Sequence, residues 1–137
     1  IIKKLSPFSR NLRSEISSSR KFYFVDNGIR NAIIGNYAPI ISRNDIGGLW
    51  ENFLISERQK LLSYSGFYGQ SYFWRTSRGQ EIDYIEEIDG KIYPFEFKWN
   101  IKTKTKIPKE FVEKYAPENL KIIHRENFWE WLNAYPY

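Results

Sequence analysis

The pair Asp89-Gly90 constrains the fold of this chain more than any other feature of its sequence. It lies between two runs in which apolar and polar residues alternate, in EIDYIEEIDGKIYPFEFKW (81–99). Asp-Gly in this setting is the strongest short signal for a β-hairpin closed by a two-residue type I′ turn. With these two residues as the turn, Asp83 lies opposite Glu96 and Glu81 lies opposite Lys98.

This register separates an apolar face from a charged face, because side chains alternate between the two sides of a strand. The apolar face is predicted to hold Ile82, Tyr84, Ile88, Tyr93, Phe95, Phe97 and Trp99. The charged face, at the end away from the turn, is predicted to hold Glu81, Asp83, Glu96 and Lys98. The acids near the turn are interpreted as ordinary surface: Glu86, Glu87 and Asp89.

The pairing of Asp83 with Glu96 needs an explanation. Directly opposed Cβ atoms lie about 4.5–5.5 Å apart, and like charges so placed destabilise a sheet. A divalent cation between them would reverse this effect, since Mg²⁺ binds one or two carboxylates together with waters and phosphate oxygens. Lys98 points the same way as Glu96 and could orient a water or counter the charge on a phosphate. The alternative is a solvated acidic face in which Glu81 and Lys98 form a weak ion pair.

Helical and strand patterns alternate along the rest of the chain, which predicts an α/β fold with a central mixed sheet flanked by helices on both sides. Strands are predicted at 21–25, 71–76 and 120–124, and helices at about 29–35, 46–62, 111–115 and 126–132. Asp26 and Asp45 are predicted to cap the first two helices. Residues 1–20 are polar and serine-rich, which indicates a connector or arm from an upstream region, and 21–137 are predicted to form a single domain.

Composition excludes several kinds of site. Cysteine is absent, so disulfides, thiolate metal sites and cysteine nucleophiles are excluded, and the single histidine, His124, cannot form a histidine cluster. There is no GxxxxGK[ST] phosphate-binding loop. No apolar run approaches the ~18 residues that span a bilayer, so we expect a cytoplasmic protein without a membrane segment. The chain begins at Ile1 and contains no methionine, so we expect it to be part of a longer protein.

The net charge of +5 is unevenly distributed. Residues 1–21 carry six basic groups and one acidic group, and residues 98–125 carry eight basic and three acidic groups. These two basic segments flank an acidic middle. The pattern permits a polyanionic partner, and solvated lysines are the alternative.

One signature and several longer segments resemble a known family. Asp83, followed after twelve residues by Glu96-Phe97-Lys98, resembles the D…ExK signature of the PD-(D/E)xK nuclease-like superfamily, with Ile82 in place of the proline. The segments KFYFVDNGIRNAIIGN, GGLWENFLISE, FWRTSRGQEIDYI and PFEFKW are similar, in the same order, to the C-terminal domain of a large group of prokaryotic AAA-type ATPases. The tail FVEKYAPENLKIIHRENFWEWL is similar to the end of that domain, so the resemblance covers the chain from about Arg10.

The resemblance implies a restriction-endonuclease-like core, hydrolysis of DNA that depends on Mg²⁺ (or Mn²⁺), and an AAA-type ATPase domain in cis. It assigns metal binding to Asp83, Glu96 and Glu51, and it gives Lys98 the role of the superfamily lysine. From the residues alone, Glu51 lies at the edge of the apolar stripe of its predicted helix. Glu57 lies nearer the middle of that stripe and stays an alternative acid.

Two basic groups of residues near this site are candidate DNA contacts. Arg75 and Arg78 could bind phosphates, or they could neutralise the neighbouring acids. Lys102, Lys104 and Lys106 follow the hairpin, where a phosphate backbone could pass, and an exposed solvated loop is the alternative.

Three functions stay open from the sequence. The first is a Mg²⁺-dependent DNA phosphodiester hydrolase, an endo- or exonuclease, because no nucleophilic Ser, Cys or Tyr stands beside a base. The second is a catalytically silent module of the same fold that binds DNA or protein on behalf of the ATPase. The third is an oligomerisation domain in which the site is a relic.

Overall fold

A six-stranded mixed sheet forms the centre of the computed structural model, which describes residues 1–10 and 13–134. The strand order is β2-β1-β3-β4-β5-β6, in which β1 is parallel to β3, β5 is parallel to β6, and the other neighbours are antiparallel. The elements in these ranges are β1 (Ile2–Pro7), β2 (Lys21–Phe24), α1 (Asn27–Ile34), a 3-10 turn (Ile40–Ser42), α2 (Ile46–Tyr64), β3 (Gln70–Arg75), β4 (Glu81–Ile88), β5 (Lys91–Phe97), α3 (Lys109–Tyr115), β6 (Lys121–Ile123) and α4 (Phe128–Asn133). The predicted mixed α/β class is confirmed.

Helices cover both faces of the sheet, as predicted. On one face, α2 and α4 pack against the strands in a cluster that includes Trp50, Leu54, Ile55, Tyr84, Phe95, Phe97, Trp131 and Leu132. On the other face, Phe111 of α3 packs in a second cluster with Phe8, Trp74, Ile82, Ile85 and Ile92. No helix within the described ranges is both long and apolar enough to cross a bilayer.

The hairpin turn forms as predicted. Asp89 and Gly90 both have positive φ, 51° and 77°, which is the combination that a type I′ turn requires. The pairs run from Ile88 opposite Lys91 to Tyr84 opposite Phe95, which is the predicted register. The Asp-Gly pair therefore identified the turn and the alignment of β4 with β5 between the turn and Tyr84, and the observed pairs of these two strands do not extend to the predicted Asp83–Glu96 and Glu81–Lys98 pairs.

A bulge in β4 changes the predicted faces beyond Tyr84. Tyr72 of β3 lies opposite Ile85, and Trp74 lies opposite Ile82, so two steps along β3 correspond to three along β4. An extra residue of this kind interrupts the alternation of side chains. Ile82 consequently packs in the second cluster, on the face opposite Tyr84, and its assignment to the face of Tyr84 was wrong.

The structure differs from the connector that the polar, serine-rich sequence of residues 1–20 predicts. Ile2–Pro7 is an internal strand, paired with β2 on one side and β3 on the other, and Leu5 and Phe8 are buried. The pairing supplies the backbone hydrogen bonds, and these two apolar side chains supply the contacts with the core. The predicted boundaries 1–20 and 21–137 include residues 11–12 and 135–137, which lie outside the described residues.

Two predictions about individual acids were wrong. Glu86, predicted to be surface, is fully buried in a bidentate ion pair with Arg58, with Nε–Oε1 2.7 Å and Nη2–Oε2 3.0 Å. Asp45 precedes α2 but does not cap it, because its carboxylate accepts hydrogen bonds from Arg43 and Arg30. Asp26 does cap α1, since its Oδ1 accepts from the Gly28 amide at 2.6 Å.

Candidate functional site

The acids of the charged face gather at the end of the hairpin away from its turn. Asp83 lies in the bulge of β4, where the additional residue re-aims side chains, and bulges are over-represented beside active sites for that reason. Its Oδ2 accepts a hydrogen bond from the amide of Phe97 at 2.8 Å, which fastens the carboxylate to the end of β5. Glu96 precedes that amide and is buried.

The electrostatic environment of Asp83 disfavours its charge. Burial, followed by the negative charges of Glu96 and Glu51, outweighs the Phe97 amide and Lys98 and raises the pKa of Asp83 to about 8. In the part of the chain that the structure describes, no basic group lies within 4.0 Å of the Asp83 carboxylate. The site therefore favours a proton on Asp83 unless an added cation stabilises the ionised carboxylate.

Lys98 lies beside Glu96 at the same end of the hairpin. Its Nζ is 3.3 Å from Glu96 Oε2, and its backbone amide donates to the carbonyl of Ile123 on β6 at 3.0 Å. The lysine side chain is one-third exposed, so its ammonium can still reach a ligand in solvent. Glu81 makes its ion pairs with Lys21 and Arg75, and not with Lys98 as the solvated-face alternative assumed.

Glu51 of α2 faces the same cluster, held by two residues of β2. Its Oε1 accepts a hydrogen bond from the Tyr23 hydroxyl at 2.6 Å and lies 3.3 Å from Lys21 Nζ. Burial lowers the pKa of Lys21, but the carboxylates of Glu51 and Glu81 outweigh it, so the net shift is upward. Burial and the charge of Glu51 raise the pKa of the Tyr23 hydroxyl.

Lys21 and Tyr23 were missed by the sequence reasoning. The only available signal was their spacing, because residues two apart on a strand share a face. Glu57, the alternative acid of the helix, instead pairs with Lys60 at 2.6 Å on α2 itself. The arrangement therefore favours Glu51 as the helix acid of the cluster.

The donors present suit a divalent cation held by few protein ligands. Within residues 1–10 and 13–134, no group of three or more His, Cys, Asp or Glu side chains is positioned to hold a metal ion. Asp83 and Glu96 form a pair of carboxylates, and Glu51 is engaged by Tyr23 and Lys21. Mg²⁺ commonly takes one or two carboxylates and completes its coordination with waters and phosphate oxygens. The partly buried Asp83, with no basic group within 4.0 Å among the described residues, fits such an ion.

The basic residues proposed as DNA contacts fall into two groups. Arg75 pairs with Glu81 at 3.2 Å, and Arg78, which is largely exposed, pairs with Glu110 at 3.4 Å. The lysines between β5 and α3 are exposed and form no ion pair with a described residue: Lys102, Lys104 and Lys106. Arg75 thus neutralises an acid of the site, and the lysines remain available to an anionic ligand.

Comparisons with known proteins place the chain beside proteins of unknown function. The sequence profile of a family described as a domain of unknown function, DUF4143, matches residues 46–133, from α2 to α4. Domains of this family are typically associated with AAA-type ATPase domains in bacteria. No solved structure matches the chain at a significant level.

Two relatives are mycobacterial proteins that have no assigned function. The uncharacterized protein Rv2008c of Mycobacterium tuberculosis and the uncharacterized protein Mb2031c of Mycobacterium bovis are each 29% identical to this chain over 100 residues. The aligned region covers 72% of this chain and 22% of each relative. The match therefore spans about a fifth of the length of these curated proteins.

Proposed function

We propose that this chain, which belongs to the DUF4143 family, is a Mg²⁺- or Mn²⁺-dependent DNA phosphodiester hydrolase domain that acts with an AAA-type ATPase domain in cis. The observation that carries the proposal is the partly buried carboxylate of Asp83 beside the buried Glu96, with no basic group within 4.0 Å of Asp83 among the described residues. The mixed sheet with helices on both faces supports a restriction-endonuclease-like core of the PD-(D/E)xK superfamily.

Each residue of the cluster has a distinct role in this proposal. Asp83 and Glu96 would hold the ion, with Glu51 as the third acid. A bound Mg²⁺ would supply polarisation of the phosphate and a more acidic water. Lys98, paired with Glu96, would orient that water and counter the charge that develops on the phosphate. Lys21 and Tyr23 hold the Glu51 carboxylate in position.

We expect Asp83→Asn and Lys98→Ala to reduce DNA cleavage by at least about 10²-fold, the usual cost of removing one preorganised group at a reacting phosphate or carbonyl. Nicking of a supercoiled plasmid with Mg²⁺ or Mn²⁺ measures this loss. Glu57→Gln is the matched control, because it removes an acid of α2 that pairs with Lys60 outside the cluster. Equal nicking by the wild type and both site variants would identify a contaminating nuclease and refute the proposal.

A second function is a catalytically silent module that binds DNA or protein for the ATPase. It is favoured by the engagement of Glu51 with Tyr23 and Lys21, which leaves two carboxylates facing the ion position. In that case purified protein cleaves no DNA with either metal. DNA affinity would then be the same for the wild type and Asp83→Asn.

Both functions with a DNA partner predict a contribution from the exposed lysines between β5 and α3. We expect the triple variant Lys102→Gln/Lys104→Gln/Lys106→Gln to weaken DNA binding and to reduce the slope of log K against log salt by about 0.9 per lost phosphate contact. Lys91→Gln at the hairpin turn, the opposite end of β5, is the control and should leave the slope unchanged. An unchanged slope in the triple variant would place the DNA elsewhere.

A further inference from the structure

A cavity of about 450 Å³ opens between α1, the 3-10 turn, α2 and α4. This volume lies within the usual range for small-ligand pockets. The cavity is continuous in sequence with the site, because Trp50 precedes Glu51 and Trp99 follows Lys98.

The walls of the cavity are mainly aromatic. Trp50 packs edge-to-face against Trp99, with ring centroids 5.4 Å apart, and against Phe128 at 5.2 Å. Phe53 stacks on Trp50 at 5.8 Å and completes the set. Rings held in this way form a rigid apolar wall, which suits a flat ligand that stacks.

Polar atoms in the same walls lack partners. Five buried side-chain nitrogen or oxygen atoms among the described residues have no hydrogen bond, and three belong to cavity-lining residues: Asn27 Oδ1, Asn31 Oδ1 and Trp50 Nε1. The Trp50 side chain is more than nine-tenths buried. The Asn27 amide is oriented by its Nδ2, which donates to the Leu49 carbonyl at 3.0 Å. An unsatisfied buried polar group is destabilising, and a ligand with matching groups would remove that cost.

A cation stands at the mouth of the cavity. Arg125 is exposed, and its guanidinium lies 4.7 Å from the centre of the Trp99 ring while its Nε donates to the Trp99 carbonyl at 3.0 Å. Its two Nη groups have no partner within the described ranges. Arg43 also lines the cavity, but its guanidinium is occupied by Asp45 and the Asn36 carbonyl. Arg125 is thus the cation of the cavity wall that can receive an anion.

We propose that this cavity binds the base of a nucleotide, with Arg125 on its phosphate. Adenine and cytosine are flat and present an amino group with two N–H donors beside a ring acceptor, as two amide oxygens and one indole N–H require. An aromatic side chain of a protein partner can pair with at most two of the three atoms, so it would leave at least one of them unpaired. Since the three atoms are shielded from solvent, we expect the Asn31 side chain to turn toward a bound base.

The role of this pocket in the reaction rests on the proposed function, whereas binding of a base does not. With Trp99 next to Lys98, an unpaired base in the pocket would lead its own strand toward Asp83 and Glu96. The substrate class would then be DNA with a single-stranded or unstacked nucleotide, because a paired base cannot enter a side pocket.

Binding is tested on the metal-free protein in EDTA, so that cleavage plays no part. The probes are dAMP, dCMP, their nucleosides, a dC₁₂ oligonucleotide and N-acetyl-tryptophanamide, and the readouts are affinity and the indole N–H signals in NMR spectra. We expect nucleotides and dC₁₂ to shift the Trp50 and Trp99 signals and to leave that of the exposed Trp129 unchanged. Trp99→Leu should weaken binding about 5- to 100-fold, as loss of one stacking partner does.

The variant Arg125→Gln distinguishes the contribution of the phosphate to binding from that of the base. We expect it to weaken the binding of nucleotides but not of nucleosides. Arg20→Gln makes the same charge change on another exposed arginine and should leave both affinities unchanged. Because Arg125 is at the surface, this variant leaves the fold intact even if Trp99→Leu does not. The proposal is overturned if nucleotides leave the Trp50 and Trp99 signals unmoved, or if only N-acetyl-tryptophanamide shifts them. Nucleotide binding without DNA cleavage would refute the proposed hydrolase activity and would still support the proposed base-binding pocket.

Discussion

Arg58→Met alone is expected to lower the free energy of unfolding by about 3–5 kcal/mol, the usual cost of breaking a buried ion pair by removing one partner. Arg58 and Glu86 are 1% and 0% exposed, and the substitution leaves the Glu86 carboxylate buried without its cation. It also removes donors to the carbonyls of Trp131 and Ala134, at 2.7 and 2.8 Å, which join α2 to α4. Urea denaturation followed by circular dichroism measures the loss.

The double variant Arg58→Met/Glu86→Leu is the informative comparison. It removes both buried charges, and apolar replacement of a whole buried pair is often neutral or stabilising, so it should recover the part of the loss that is due to the unpaired charge. The carbonyls of Trp131 and Ala134 still lack the Arg58 donor in this variant. Arg78→Met breaks an exposed pair with Glu110 and should change stability by less than about 1 kcal/mol. A loss below about 1 kcal/mol in Arg58→Met would show that the carboxylate of Glu86 finds another partner or a proton at little cost.

The buried pair also marks a limit of prediction from sequence. Glu86 belongs to a run of acids, Glu86-Glu87, beside a turn, and such runs are normally solvated. Its partner Arg58 lies 28 residues away on a helix, and no local pattern indicates that the two meet. Only the packing of α2 across β4 brings them together, so the error concerned tertiary contact and not local structure.

Features governed by neighbouring residues were predicted well. The Asp89-Gly90 turn and the register of β4 with β5 depend on local backbone conformation, and both were confirmed. The bulge was missed because it arises from the pairing of β4 with β3, although consecutive apolar residues at Tyr84-Ile85 already break strict alternation. β1 was missed because its polar sequence lies between two other strands, where backbone pairing matters more than apolar content.

In the candidate site, too, the residues placed by local structure were predicted and those placed by tertiary contacts were not. Asp83, Glu96 and Lys98 come from one hairpin, so its register was enough to place them at one end. Lys21 and Tyr23 enter from β2, whose position beside α2 and β1 follows from the whole sheet. These two residues contact the Glu51 carboxylate, so the ion pair and hydrogen bond of this third acid could not be inferred from the hairpin or from the helical wheel.

Asp83→Asn is expected to stabilise the metal-free protein at alkaline pH, on the order of a few kcal/mol, with little effect near pH 4. Burial and the charges of Glu96 and Glu51 raise the pKa of Asp83 from 3.8 to about 8. Between these values the folded protein holds a proton that the unfolded chain has released. The stability of the wild type therefore falls as pH rises from about 4 to about 8, and asparagine removes this dependence.

Urea denaturation in EDTA at pH 5, 7 and 9 measures the difference between the two proteins. Added Mg²⁺ or Mn²⁺ should stabilise the wild type most at the alkaline end, since a cation binds the ionised carboxylates, and should stabilise Asp83→Asn less. Glu57→Gln, which alters a partly exposed acid of α2, should follow the wild type in every condition. If the difference in free energy of unfolding between the wild type and Asp83→Asn is constant from pH 5 to pH 9, Asp83 is solvated and ionised throughout this range. In that case there would be no unfavourable ionisation of Asp83 for a metal ion to offset. The catalytically silent module would then be the better account of this domain.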